Sequence, residues 1–323
     1  MSNTYLVTGA AGFIGSKTAA LLLKAGNKVV GVDNLNDYYD LRLKSYRLKS
    51  LQGFPNFIFK KLDIEEMPKL KRVFSVYRFD AVLNLAARAG VRYSMSHPHV
   101  YFTTNVIGTL NLLELAKMYK VPKFVLASTS SLYAGQKMPF KETLAVNTPI
   151  SPYAASKKGA EALCYSYYHL YGLDISIVRY FTVYGPAGRP DMSVFIFMQK
   201  IAEGKQIQVF GDGTQSRDFT YVDDIALGTI KAIKKVGFKV INLGGNDPYK
   251  LNHVINLIEE NLGKKAKVIY KSFHIADIKA TWADISEAKK TIGWKPKVNL
   301  AEGIRNTVEW YNANRSWLKN VGV

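Results

Sequence analysis

Thr4-Tyr-Leu-Val-Thr-Gly-Ala-Ala-Gly-Phe-Ile-Gly15 is a short apolar run ending on three spaced glycines, and its reading decides the fold. The run predicts a strand over 5–8, and the residues from Phe13 onward a helix over 13–25. A second apolar run over 28–32 ends on Asp33, followed by Asn34. In a strand–turn–helix–strand unit of this spacing, Gly9 permits a tight turn. Gly12 lets backbone approach a pyrophosphate, and Gly15 lets the helix pack on the strand. The positive end of the helix dipole favours the pyrophosphate there. Asp33 is placed to accept hydrogen bonds from an adenosine ribose and to repel a 2′-phosphate. NAD rather than NADP is therefore the expected cofactor.

Further apolar runs over 57–60, 81–85, 123–127 and 174–179 read as strands. Helical patterns over Met67–Val76, 100–119 and 153–171 separate most of them. Near-continuous Val/Ile/Leu strands between helices predict an α/β fold, a doubly wound parallel sheet of the Rossmann type. Its chemistry belongs at the carboxyl ends of the strands, where Asn84-Leu-Ala-Ala87 and Ser128-Thr-Ser-Ser131 fall. After Arg179 the pattern loosens into a turn-rich Tyr184-Gly-Pro-Ala-Gly-Arg-Pro190 segment. Helices over 192–203, 221–234, 251–262 and 300–312 follow, with strands over 207–210 and 240–243. The expected division is a dinucleotide domain over 1–180, to which 222–244 returns, and a smaller interleaved α/β part over 181–323.

Composition excludes several classes. With 323 residues the chain can bury one large or two unequal cores. It has no apolar stretch of about twenty residues, so no membrane span is expected. The first strand begins within a few residues of Met1, leaving no room for a signal peptide. One cysteine, Cys164, excludes an intrachain disulfide framework and fits a reducing cytoplasm. The net charge of +19 is spread over many short clusters, Arg42 to Lys49 among them, without the interleaved basic and aromatic stripe of a nucleic-acid surface. Some of it can draw in an anionic substrate. The five histidines lack metal-ligand spacing, so no metal is expected.

Tyr153-Ala-Ala-Ser-Lys157 carries the candidate chemistry. A Tyr and a Lys four apart share one helix face. The ammonium favours the phenolate, so Tyr153 can accept a proton where a free phenol, with a pKa near ~10, would not. Thr129 or Ser130, delivered from a strand end, can hydrogen-bond the same substrate oxygen.

These residues are similar to the extended short-chain dehydrogenase/reductases, and among them to the nucleotide-sugar 4-epimerases, most closely UDP-glucuronate 4-epimerases. The resemblance covers essentially the whole chain. Its general motifs are Thr8-Gly-Ala-Ala-Gly-Phe-Ile-Gly15, Asp63, Leu85-Ala-Ala87, Asn105-Val-Ile-Gly-Thr109, Tyr153 with Lys157, and Arg217-Asp-Phe-Thr-Tyr-Val-Asp-Asp224. More specific are Ala89-Gly-Val-Arg-Tyr-Ser94 and Arg179-Tyr-Phe-Thr-Val-Tyr-Gly-Pro186, continuing to Gly188-Arg-Pro-Asp-Met192. UDP-galactose epimerases and UDP-xylose synthases usually carry Asn where this chain has Thr182.

The resemblance implies that Tyr153 is the base on the sugar 4-hydroxyl, that Lys157 also bonds the nicotinamide ribose, and that Thr129 shares the 4-oxygen. It implies a cofactor site of Gly9, Gly12, Phe13, Ile14, Gly15, Asp33, Asn34, Asp63, Ile64, Leu85, Ala86, Ala87, Asn105 and Tyr180, with Asp63 at the adenine. For the UDP-sugar it implies Arg88, Arg92, Ser128, Thr129, Ser130, Thr182 and Asp277, with Arg217 on the diphosphate and Arg189 on a sugar carboxylate. Ser130 and Ser131 stand where dehydratases of the group carry Asp and Glu, so the site is expected to oxidise and reduce without eliminating water. A homodimer paired through the 100–119 and 153–171 helices is implied too.

The chain departs from the pattern at Arg88, usually Gln, at Ala187, often Trp, and over His274-Ile-Ala-Asp277. Other UDP-sugar substrates on the same scaffold stay open: UDP-glucose, a UDP-N-acetylhexosamine, or decarboxylation of UDP-glucuronate. So does a non-catalytic NAD-binding regulator, although such proteins usually lose the Tyr/Lys pair.

Overall fold

The computed structural model describes residues 2–272 and 278–322. In chain order the first half alternates strand and helix: β1 Thr4–Thr8, α1 Phe13–Lys24, β2 Lys28–Asp33, α2 Leu41–Gln52, β3 Phe57–Lys61, α3 Met67–Val76 and β4 Ala81–Asn84. There follow α4 Val91–Ser96, α5 Pro98–Phe102, a π-helical turn Thr103–Ile107, α6 Gly108–Met118, β5 Phe124–Thr129, a 3₁₀ turn Ser130–Tyr133, α7 Pro152–Tyr171 and β6 Ile175–Tyr180. The second half holds β7 Thr182–Tyr184, α8 Ser193–Ala202, β8 Gln206–Phe210, β9 Ser216–Tyr221, α9 Val222–Lys231, β10 Phe238–Leu243, β11 Pro248–Lys250, α10 Leu251–Leu262, β12 Lys267–Lys271, α11 Ser286–Ile292 and α12 Leu300–Leu318.

Seven strands form one parallel sheet in the order β3-β2-β1-β4-β5-β6-β10. The order reverses between β1 and β4, and such a switch point opens a crevice at the carboxyl ends. Both faces are covered. Val7, Leu83, Val125 and Val178 enter one core with α1 and Trp294, while Leu6, Val82, Phe124 and Ile177 enter another with α3 and α6. This is why the strands read as continuous apolar runs instead of alternating ones. Each such buried side chain contributes roughly 1.5–3 kcal/mol.

Beyond β6 the chain builds two small sheets, β7-β9-β11 and β8-β12, then returns to the main sheet through β10. A third core lies there, where Phe195, Met198, Ile255, Ile304 and Tyr311 of α8, α10 and α12 meet Leu43 of α2. The expected helix over 100–119 is interrupted: the π turn widens the backbone at Asn105, and α6 starts where Gly108 lies flush against Ile64. A Cβ at Gly108 would stand 2.5 Å from the Ile64 side chain. Single π turns of this kind concentrate at functional sites.

Candidate active site

The cleft begins at the glycine turn. Gly9 has φ +67°, and a Cβ there would lie 2.9 Å from the Ala86 backbone. A Cβ on Gly15 would stand 2.1 Å from the Gly9 carbonyl oxygen. The N-terminus of α1 begins at Gly12 with no side-chain cap and no acid in its first turn. Its free N–H groups and dipole therefore remain for an external anion. Asp33, buried at the end of β2, accepts from the Ala11 and Leu35 backbone N–H groups at 3.1 and 2.8 Å. Asn34 donates to Asp63 at 2.6 Å, holding both residues at the same rim.

A continuous cleft of about 390 Å³ runs from this rim to the ends of β5 and β6. Phe13, Ile14, Ile64, Leu85, Ala86, Ala87, Arg88, Tyr180, Thr182 and Arg189 line it, as do Thr129, Ser130, Tyr153 and Lys157. A hydrogen-bond-ready cradle at one end and a Tyr/Lys pair at the other suit a dinucleotide laid across the switch point. Among the lining residues the acids are Asp33 and Asp63, both at the glycine end. The end holding Tyr153 carries hydroxyls only, Thr129 to Ser131 and Thr182, besides its cations. Among the described residues no His, Cys, Asp and Glu group could hold a metal.

Helix α7 presents the pair. Ser151 caps it by accepting from the Ala154 N–H at 3.2 Å, Pro152 fills its first turn, and Gly172 ends it at φ +66°. The Thr129 hydroxyl accepts from the Ser131 N–H at 3.1 Å and lies beside the Tyr153 phenol. Lys157 is buried and donates to the Ala127 carbonyl at 2.8 Å. Burial pushes its ammonium down to about 8, although Glu161 opposes the shift. Burial also raises the Tyr153 phenol, while the Thr129 hydrogen bond and the Arg189 charge lower it. Lys157 is thus tied to the strand end, and Tyr153 draws its nearest electrostatic help from Arg189 and Thr129.

The structure reassigns several residues. Ser128 turns its hydroxyl away from the cleft, donating to Glu161 at 2.6 Å, because β5 is buried on both faces. Asn105 does not line the cleft: its amide accepts from the Arg88 N–H and donates to the Arg88 carbonyl and the Ser156 hydroxyl. It therefore braces the loop after β4 instead of meeting a ligand. Arg189 is no surface residue after a turn, since it lines the cleft, but its Nε and Nη2 already donate to Asp191 at 2.9 and 2.5 Å. Arg92 lies outside the lining on α4, its guanidinium 4.0 Å from the Phe210 ring centroid. Arg217, on β9, also lies outside it and donates to the Ser216 carbonyl at 2.8 Å. Asp277 and His274 fall outside the described residues.

Other residues were missed in the sequence. Lys44 and Arg47, counted within a solvated basic cluster, are buried. Lys44 lines the cleft and donates to the Asn36 carbonyl at 2.7 Å. Arg47 donates to the carbonyls of Ala11, Ala187 and Gly188, joining the glycine turn to the loop that carries Arg189. Their signal was the apolar period of Leu43, Leu48 and Leu51 on α2, which marks an inward face beside them.

The family described as GDP-mannose 4,6 dehydratase matches residues 6–307. The chain belongs to this family, within the extended short-chain dehydrogenase/reductases. It is 58% identical over 320 residues to a UDP-glucuronate 4-epimerase of Thermodesulfobacterium geofontis, covering 99% of each chain. A crystal structure of the Bacillus cereus UDP-glucuronic acid 4-epimerase in complex with UDP-glucuronic acid and NAD superposes with TM-score 0.90 at 37% identity. That match covers 96% of this chain and 99% of the other. The Thermotoga maritima UDP-glucose 4-epimerase with UDP-glucose gives 0.89 at 34% identity, over 97% and 99%.

Proposed function

We propose that the protein is an NAD-dependent UDP-glucuronate 4-epimerase, interconverting UDP-glucuronate and UDP-galacturonate through a 4-keto sugar without loss of carbon dioxide. The observation that carries this is the composition of the cleft end: a Tyr/Lys pair, a hydroxyl-bearing Thr129 to Ser131 segment with no acid, and one Arg. When bound, NAD supplies the acceptor for the C4 hydride, its return, and a positive ring near Tyr153 and Lys157. Tyr153 takes the proton of the 4-hydroxyl and gives it back after the ketone has turned its other face. Thr129 holds the same oxygen. Lys157 keeps the local charge positive and fixes the strand end. Gly9, Gly12, Gly15, Phe13, Ile14, Asp33, Asn34, Asp63, Ile64, Leu85, Ala86, Ala87 and Tyr180 hold the cofactor, now joined by Lys44.

The 4-keto hexuronate is a β-keto acid, which decarboxylates when the carboxylate bond stands perpendicular to the carbonyl plane. An epimerase therefore holds the carboxylate near that plane. Thr129, Ser130 and Thr182 offer hydroxyl donors, and the Nη1 edge of Arg189 is the part of its fork left for a ligand. Asp191 fixes that fork and offsets its charge. Arg217, beyond this lining in the smaller part of the chain, is the cation we assign to the diphosphate. The dinucleotide domain is 1–180 with 222–244, and the remainder holds the nucleotide sugar. A cytoplasmic location suits the one thiol, Cys164, which is buried and free. Among the described residues no helix is long and apolar enough to cross a membrane.

The test is a comparison of UDP-glucuronate, UDP-glucose and UDP-N-acetylglucosamine with the purified protein, products being resolved by NMR. The reading requires UDP-glucuronate to have the highest kcat/KM and to yield a hexuronate. A UDP-pentose product assigns the decarboxylase, and preference for a neutral sugar assigns the broader epimerases.

A further inference from the structure

A buried ion pair lies behind the cleft end that holds Tyr153 and Lys157. Glu161 lies one helical turn beyond Lys157 on α7, and Arg179 lies on β6 as the cross-strand neighbour of Ser128. Both are almost wholly buried, with side-chain exposures of 5% and 3%. Arg179 donates Nε and Nη2 to the two Glu161 oxygens at 2.9 and 2.7 Å, a bidentate fork. The pair reaches outward in two directions. Glu161 Oε1 also accepts from the Ser128 hydroxyl at 2.6 Å. Arg179 Nη1 donates to the Tyr133 hydroxyl at 2.7 Å, which in turn donates to Asn242 Oδ1 on β10 at 2.8 Å. Ser128 and Tyr133 bracket Thr129, Ser130 and Ser131, the hydroxyls facing the cleft.

We propose that the Glu161–Arg179 pair is the positioning device of the site: it clamps the Ser128 to Tyr133 segment at both ends and sets a carboxylate one helical turn beyond Lys157. Two charges this deep are costly to desolvate, and apolar residues would serve packing as well. The clamp gives the pair a task that apolar residues could not perform. The carboxylate opposes the downward pressure of burial on Lys157. Removing it should let Lys157 lose its proton at lower pH. This inference deepens the proposed function and rests on it for the turnover readout alone.

The experiment uses NAD-loaded protein with ¹³Cε-labelled lysine, Lys157 being assigned by its loss in Lys157→Met. Lys157 is titrated by NMR in the wild type and in Glu161→Gln, while kcat and KM for UDP-glucuronate are measured in those proteins and in Tyr133→Phe. We expect the Lys157 midpoint to fall by about half a pH unit or more in Glu161→Gln. In both variants kcat should fall about tenfold or more while KM moves little, as for groups displaced from a reacting centre. If the unpaired arginine prevents Glu161→Gln from folding, Glu161→Gln with Arg179→Met takes its place for the kcat reading alone, because removing both charges leaves the Lys157 midpoint little changed. A kcat within about twofold of wild type then overturns the clamp. An unchanged Lys157 midpoint, or a Tyr133→Phe kcat within about twofold of wild type, overturns the proposal. A wild type inert toward UDP-glucuronate overturns the proposed function instead, and the lysine titration then decides the clamp by itself.

Discussion

Tyr153 and Arg189 show how far single residues could be read. The Tyr153/Lys157 spacing pointed to the proposed base, and Tyr153→Phe should lower turnover ~100-fold or more with little change in substrate affinity, measured by steady-state kinetics. Retention of over about half the activity removes Tyr153 as the base. Arg189 was legible as a cleft residue, but its bond to Asp191, two residues on, was not. Nothing in Gly-Arg-Pro-Asp says whether the fork turns back on its own loop or outward. The pairing sharpens the expectation for Arg189→Ala. The substitution removes the cation and leaves Asp191 facing a carboxylate substrate, so recognition of UDP-glucuronate should weaken by ~1.5–3 kcal/mol, the range for a charge-assisted hydrogen bond. UDP-glucose, with no charge on C6, should lose far less. Equal losses, read as kcat/KM on the two substrates, show instead that Arg189 serves the loop or the diphosphate. Ser128 teaches the same lesson in reverse, since a hydroxyl at a strand end can face core or cleft, and only the strand's register decides.

At the scale of elements, the parallel strands and their helices were legible because both sheet faces are buried and the period is unmistakable. Their ends shifted by up to three residues, the most at the end of α9. The π turn at Thr103–Ile107 was not legible, because one inserted residue leaves the helical composition unchanged. Helix α2 was missed through its charges: Lys44 and Arg47 point inward to carbonyls, against the expectation that Lys and Arg mark solvent. The glycine turn gives the element-scale prediction. The wild type should purify with stoichiometric nicotinamide, since a cofactor restored in every cycle gains nothing by leaving. Gly15→Ala forces its methyl to within 2.1 Å of the Gly9 carbonyl unless the turn moves. Denatured Gly15→Ala should therefore release little or no nicotinamide by absorbance and mass analysis. Full cofactor content in that variant contradicts the cradle.

For the whole molecule, the interleaving of two parts was visible as a loosened pattern after Arg179, but the small sheets β7-β9-β11 and β8-β12 were not, their strands being short and their partners distant. We propose that the protein is a homodimer through α5 to α7. Tyr167 of α7 is buried and donates to Glu114, so it belongs to the core and not to that surface. Phe102, Ile107, Met118, Tyr165, Leu170 and Tyr171 are the large apolar side chains left exposed on these elements and their π turn, with Leu170 at 65%. Light scattering at micromolar concentration should give twice the 36.2 kDa chain mass, and a monomer mass rejects the dimer. The central claim is that C4 is inverted by hydride that leaves and returns within one closed site. Its most direct test is to convert UDP-[4-²H]glucuronate in ordinary water and follow C4 by NMR. The account predicts UDP-galacturonate with the deuterium retained at C4. A UDP-pentose product, or a hexuronate carrying protium at C4, contradicts it.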